Sequence, residues 1–280
     1  MIKKTAIILT AIMGIMCIGG CADTKSETAQ SDNISDNTAN QSEKTQITVY
    51  AAASLEAVLN DEIALYNETH PDVNISLSAG SSGDLKDAIV ESQGVDVDIF
   101  FSAATDKMDE LVDANLVDSN NVVSLLKNEV VLIGAKNYET KVTGFDNITL
   151  ASSIALADET VPVGAYSREI FDSLDISLDD FEQINTCSDV SAVKEAVKEG
   201  SNEVGTVYYS DYYSVQDEVN LIEIADQSLY SACIYPIAMV NNPSADAQQQ
   251  EATKEFFDFL ISEEAAQLYT DYKFTLFLED

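Results

Sequence analysis

From residue 47 onward the chain alternates between two hydrophobic periods, and no other feature of the sequence narrows the fold as much. Residues 47–52 form a strand-length run. Residues 54–69 then set Leu55, Val58, Leu59, Ile63 and Tyr66 on one helical stripe. Val73, Ile75, Leu77 and Ala79 alternate with Asn74, Ser76 and Ser78 at a period of two. Leu85, Ala88 and Ile89 return to helical spacing, 97–101 reads as a strand, and Met108, Leu111 and Val112 follow as a helix. Apolar strands are predicted at 130–133 and 154–157, and helices at 165–174 and 190–199, the second closed by Gly200 at a C′ position. Residues 204–207, 221–224 and the longer run 232–240 read as strands, and 245–272 as a final helical segment. Parallel strands need a crossover and a helix is the usual one, so this alternation predicts an α/β fold on mainly parallel sheets. At 280 residues the chain exceeds one ordinary core, which leaves one large domain or two lobes.

The N-terminus has a different character. Lys3 and Lys4 precede an apolar run over 6–18, too short to span a bilayer as a mature helix and typical of a secretory leader. It ends in Ile18-Gly19-Gly20-Cys21, which resembles a bacterial lipobox, in which the cysteine is lipidated and becomes the first residue. Residues 22–46 hold one large aliphatic, Ile34, and no aromatic, so they cannot bury enough apolar surface to offset their ordering entropy. They read as a flexible tether with a reach of roughly 25–30 Å by random-coil scaling. The expectation is a signal peptide over 1–20, a tether over 21–46 lipidated at Cys21, and a globular body on the outer face of the cytoplasmic membrane. Cys187 and Cys233 remain in that body, and a disulfide or two buried thiols both fit the sequence.

Composition excludes several functions. A 46% hydrophobic and 22% charged chain is neither disordered nor a polytopic membrane protein. There are 49 Asp and Glu against 14 Lys and Arg, a formal charge of −35. Loss of the leader, with Lys3 and Lys4, takes that to −37. Polyphosphate binding needs cations to displace counterions, so nucleic acid is excluded as a partner.

Several strand-to-helix junctions carry small, uncharged residues where the helix begins: Ala51-Ala52-Ala53-Ser54-Leu55, Gly80-Ser81-Ser82-Gly83, Val161-Pro162-Val163-Gly164, Ser188-Asp189-Val190 and Gly205-Thr206-Val207-Tyr208. Free N–H groups and the positive end of the helix dipole make each a potential anion cradle, although such residues are also ordinary N-caps. Ser54, Ser82 and Tyr208 add hydroxyl donors. Arg168 is the one arginine and the body has few lysines, so an anion site here cannot depend on a cationic cluster.

The segments ITVYAAASLEAV, SAGSSGDLKDAI, DVDIFFSAATDKMDEL, VPVGAYSREIF, SDVSAVKEAV, GTVYYSD and YPIAMV together resemble the periplasmic molybdate-binding proteins, the capture subunits of ABC importers. The resemblance runs over about 47–275. It implies a two-lobe periplasmic-binding-protein fold, type II-like, with a hinge and an oxyanion held between the lobes by hydroxyls and backbone amides. Carried over, the ligand residues are Ser54, Ser82, Val163, Val190 and Tyr208. Val163 stands where alanine is frequent, and Gly83 excludes a hydroxyl that related sequences often supply. The lobes are expected at 47–127 plus 241–280 and at 128–240, with hinge crossings near Asn128 and Asn241. The resemblance further implies molybdate and tungstate as ligands, an ABC permease as partner, a monomer, and no cofactor or cation-ligating metal site.

Other readings are weaker. No G-x-S-x-G, H-E-x-x-H, P-loop or C-x-x-C motif is present, and the single histidine, His70, precedes Pro71 in a predicted loop, so an enzyme is not expected. Asp96 and Asp98 share a strand face and invite a hard cation, but Val95, Val97 and Ile99 on the opposite side fit a strand edge and its loop. Tyr208, Tyr209, Tyr212 and Tyr213 suggest a sugar platform, or simply packing beside a cleft. A passive structural lipoprotein and capture of another oxyanion, sulfate above all, are the remaining alternatives.

Overall fold

A computed structural model describes residues 44–277. The leader, Cys21 and most of the tether lie outside the described residues. Among those described, no helix is long and apolar enough to cross a membrane.

The chain order is β1 (Thr45–Ala52), α1 (Glu56–Asn67), β2 (Val73–Gly80), α2 (Ser82–Ser92), β3 (Ile99–Phe101), α3 (Thr105–Asp113), β4 (Val123–Asn128) and β5 (Val130–Ala135). There follow β6 (Ile154–Ala157), α4 (Pro162–Ser173), β7 (Ile184–Cys187), α5 (Val190–Lys198), β8 (Val204–Tyr208), α6 (Tyr209–Ser214) and β9 (Val219–Ile224). The chain closes with β10 (Cys233–Met239), α7 (Ala247–Leu260), α8 (Glu263–Asp271) and β11 (Thr275–Leu276). Strand β1 begins at Thr45, so the last two residues expected in the tether are sheet.

Two sheets carry the α/β fold, in the orders β11-β4-β10-β3-β1-β2 and β7-β6-β8-β5-β9. Both are mixed rather than mainly parallel. Strand β1 is parallel to β2 and β3, and β6 to β7 and β8, each joined through a helix. By contrast β10 runs antiparallel to β3 and β4, and β5 antiparallel to β8 and β9. The antiparallel pairs arise where the chain changes sheet without an intervening α-helix, at β4 to β5 and at β9 to β10, the second passage holding only a 3₁₀ turn at Gln227–Leu229.

These two passages are the crossings between sheets. The first runs through Asn128-Glu129-Val130. The second lies in 225–232, not near Asn241, because β10 pairs with β3 and β4 and so belongs to the first sheet. An apolar run flanked by strands of both sheets carries no local mark of which one it joins. Pro236 in this central strand is accommodated by a register shift between Tyr235 and Pro236, and its carbonyl still accepts from Ser102 N–H at 3.0 Å.

Alternation within β3 builds two cores. Phe101 packs with Leu55, Leu59 and Phe256 in the main cluster, while Phe100 packs with Ile89, Met108 and Leu111 on the opposite face. The expected single C-terminal helix is two, broken where Ser262 Oγ accepts from Ala265 N–H and caps α8. The helix at Val190 ends as expected, with Gly200 at φ +75°. Cys187 and Cys233 are both free, buried thiols on strands of different sheets.

The Asp96-Asp98 pair is a latch. Asp98 is buried and accepts from Thr48 N–H, Asn242 Nδ2 and Gln249 Nε2 at 2.8–3.0 Å, tying β1 to the start of α7. Asp96 sits at φ +60° outside the strand, and Val95 is solvent-exposed rather than packed. Among the described residues no cluster of three or more His, Cys, Asp or Glu is placed to hold a metal ion.

Glu62 is the anomaly of the first lobe. It is fully buried in α1, and neither carboxyl oxygen has a hydrogen-bond partner. Burial, with Asp61 and Glu264 adding repulsion, lifts its pKa from 4.5 to about 8. A carboxyl raised on folding favours the protonated native state, so its stability contribution is intact below pH 4.5 and is lost as pH climbs towards 8. Glu62→Gln is therefore expected to flatten the melting temperature across that interval. Thermal melts of both proteins at a series of pH values check this; parallel curves would refute it.

Candidate functional site

Four of the five junctions singled out in the sequence meet at one small cavity, with Tyr208 representing the fifth. Ala52, Ala53, Ser54, Gly80, Ser81, Ser82 and Ala103 line it from the first sheet's side. Val161, Pro162, Val163, Asp189, Val190 and Tyr208 line it from the second. All five residues carried over as ligand contacts, Ser54, Ser82, Val163, Val190 and Tyr208, are buried on this one cavity.

The local sequence explains how each arrives there. After β1 the chain makes a 3₁₀ turn, Ala53–Leu55, before α1 starts, which places Ser54 at the bend. Ser81 precedes α2 in an extended conformation and Ser82 is its first residue. Pro162 opens α4 with its φ preset, and the following N–H groups of Val163 and Gly164 precede the first residue able to bond back within the helix. Asp189 caps α5 by accepting from Ala192 N–H at 2.8 Å, which leaves Val190 at the free end of that helix. The positive ends of α2, α4 and α5, helices of 11, 12 and 9 residues, thus converge on one space.

The hydroxyls are held ready to donate. Ser82 Oγ accepts from Ala103 N–H at 3.0 Å, so its own proton is not needed there. Ser54 Oγ lies 3.0 Å from the phenol oxygen of Tyr235. Ser81 Oγ and Tyr208 Oη are buried and have no partner within the described residues. Burial pushes the Tyr208 phenol well above its usual value, so it stays a proton donor across the accessible pH range.

Charge is nearly absent from the lining. Asp189 is the only charged residue, and its carboxylate is engaged with Ala192 N–H and Ser188 Oγ. Arg168 points elsewhere, donating to the carbonyls of Ala157 and Gly164 at 2.9 and 2.7 Å, which fastens α4 to the end of β6. Next to the cavity, a second recess shared by Ser54, Lys194 and Asp211 holds a buried carboxyl. Burial outweighs Lys194, 3.7 Å away, and raises Asp211 to about 6.

Residues that the sequence did not single out as site residues also matter. Ser81 hides behind its neighbour in a Ser-Ser pair, and Tyr235 and Asn128 sit on strands whose pairing no local pattern reveals. The other tyrosines form no platform: Tyr209 and Tyr212 lean on each other, and Tyr213 lies under the Lys273 ammonium at 4.5 Å. His70 stacks on Tyr66 at 3.9 Å at the end of α1, outside the cavity.

Gly83 marks how tightly the two sides approach. A Cβ built there would stand 2.7 Å from the carbonyl oxygen of Thr160, across the cavity's edge. Gly83→Ala is thus expected to cost the closed arrangement about 1–3 kcal/mol through overpacking. Small-angle scattering would read this as a larger radius of gyration; an unchanged radius with unchanged melting would contradict it.

Comparison with known proteins places this geometry. Residues 47–275 match the family described as bacterial extracellular solute-binding protein. A putative ABC transporter substrate-binding lipoprotein of Bacillus subtilis strain 168 is 33% identical over 276 residues, covering 98% of this chain and 99% of its own. The molybdate-binding protein ModA of Escherichia coli K12 is 28% identical over 82% of this chain and 89% of its own. Among solved structures, the substrate-binding domain of a putative molybdenum ABC transporter from Clostridium difficile superposes with a TM-score of 0.63. It is 26% identical, with 83% of this chain and 99% of that one covered.

Proposed function

The chain belongs to the bacterial extracellular solute-binding proteins, and from that premise we propose that it captures molybdate and tungstate and delivers them to an ABC permease. One observation carries the proposal: a small cavity lined from both sheets by hydroxyls and helix N-termini, with no cationic side chain among its lining residues. The chemistry of that lining is that of a hydrogen-bond donor set. A tetrahedral dianion fits that set, because each oxygen accepts several donors and brings none of its own. Hydrogen phosphate would turn an O–H towards groups that mostly lack an acceptor. Molybdate and tungstate share charge, shape and nearly the same size, so one cage serves both; sulfate is smaller and would leave donors unmet.

The relatives with molybdate or molybdenum in their names support this choice of anion. No catalytic role is assigned, since the groups behind Ser82 and Ser54 are a backbone N–H and a phenol, neither of them a general base at neutral pH. No cofactor is assigned either. Lipidation at Cys21 would hold the body, a monomer, at the outer face of the cytoplasmic membrane. The Bacillus subtilis relative's description as a lipoprotein favours that anchor.

Isothermal titration of the purified protein at matched ionic strength tests the proposal. Saturable one-to-one binding of molybdate and tungstate, with sulfate and phosphate much weaker, is expected. Preferential sulfate binding would overturn the choice of anion, and silence with all four would overturn the oxyanion reading. Within the site, Ser82→Ala and Tyr208→Phe should each cost about 1–3 kcal/mol of binding. Arg168→Gln should change the dissociation constant by less than about twofold, since its guanidinium is outside the cavity and spent on carbonyls. The opposite ranking would sink the neutral-donor mechanism.

A further inference from the structure

The contact between Ser54 and Tyr235 has a direction, and the direction decides what Ser54 offers the cavity. A hydroxyl has one proton. If Ser54 donates to Tyr235, that proton is spent behind the site; if Tyr235 donates to Ser54, it is free to face the ligand. The pair alone, at 3.0 Å, does not choose.

Asn128 chooses. Its Oδ1 accepts from Glu129 N–H at 2.9 Å, which fixes the amide so that Nδ2 faces the other way. That nitrogen donates to Ser210 Oγ at 2.8 Å and to the Tyr235 phenol oxygen at 3.3 Å. Tyr235 is fully buried, and among the described residues its oxygen has only these two partners, Asn128 Nδ2 and Ser54 Oγ. Asn128 presents a donor, so the phenol proton has one acceptor within reach, Ser54 Oγ. The reverse polarity would strand a buried O–H with nothing to receive it. The ring cannot turn to another acceptor, being held edge-on against Tyr208 and Phe274 at centroid distances of 5.7 and 5.4 Å.

We propose that Asn128 and Tyr235 are positioning residues: a one-way hydrogen-bond relay, Asn128 to Tyr235 to Ser54, that keeps the Ser54 proton directed at the bound oxyanion. This deepens the oxyanion reading above and rests on it. The relay also explains its location. Asn128 ends β4 at the first crossing between sheets, Tyr235 is on the strand that follows the second, and Ser210 is on the helix after β8. Asn128, Tyr235 and Ser54 all belong to the first sheet and the turn after β1, so the donor state of Ser54 is set within one side of the cavity, with Ser210 the contact from the other.

A double-mutant cycle read by molybdate calorimetry tests this. In the wild-type background Tyr235→Phe should weaken molybdate binding by at least about fivefold, the loss expected for one misdirected buried donor. In a Ser54→Ala background the same change should cost less than about twofold, because the relay then has nothing to orient. Thermal melting confirms that each variant is folded, and Asn128→Ala runs the same cycle should Tyr235→Phe not fold. Equal losses in both backgrounds, or no loss in either, overturn the relay while leaving the oxyanion site intact. A wild-type protein that ignores molybdate overturns the oxyanion reading itself, and the relay with it.

Discussion

An anion drawn out of water needs a donor for each oxygen lone pair it gives up, and a chain with one arginine, fastened elsewhere, must supply those donors as dipoles. A single neutral N–H or O–H is weak beside a full charge, so several have to converge, and convergence is the demand that shapes the fold. Three helix N-termini and one 3₁₀ turn can face one point only if they are mounted on two separate sheets whose helix-bearing edges oppose each other. The two-lobe arrangement meets that geometric requirement. Its two crossings, at 129 and 225–232, carry no α-helix and join one sheet directly to the other.

Closeness is then the second constraint. The approach of Gly83 to the Thr160 carbonyl leaves no room for a side chain, and the donors on either side face one narrow gap. The dense acidic surface sets a background against which this works. With a formal charge of −35, the protein as a whole repels the proposed ligand, and the local field of aligned peptide dipoles must overcome that repulsion at short range. Neutral donors have one advantage over lysines in such a setting: they form no competing ion pairs with the surrounding carboxylates and stay pointed inward.

How far the sequence disclosed this follows from what each element needs. Strands with both faces covered, such as β5 and β6, must be apolar throughout and were legible as runs. Edge strands need not be. Strand β7, Ile-Asn-Thr-Cys, exposes its middle residues and carries no period, and two-residue β11 is too short for one. Strand direction was misjudged because strand–helix alternation says nothing about passages with no helix, which is where β5 and β10 turn antiparallel. The break before α8 was marked by Ser262, an N-cap hidden inside a long amphipathic pattern. At the site, the junction residues were readable because their roles are local: a helix start is written in a few adjacent positions. Asn128 and Tyr235 were not, because their meaning depends on hydrogen bonds spanning 82–181 positions of sequence.

The central claim, that a dianion is held by dipoles without cations, is tested most directly by the salt dependence of the molybdate dissociation constant. Between about 20 and 300 mM of an inert monovalent salt, screening should leave the affinity unchanged or tighten it, because the only long-range field is repulsive. A steep loss of affinity over that range would contradict the account. It would mean that fixed positive charge, not converging hydroxyls and amides, draws the anion in.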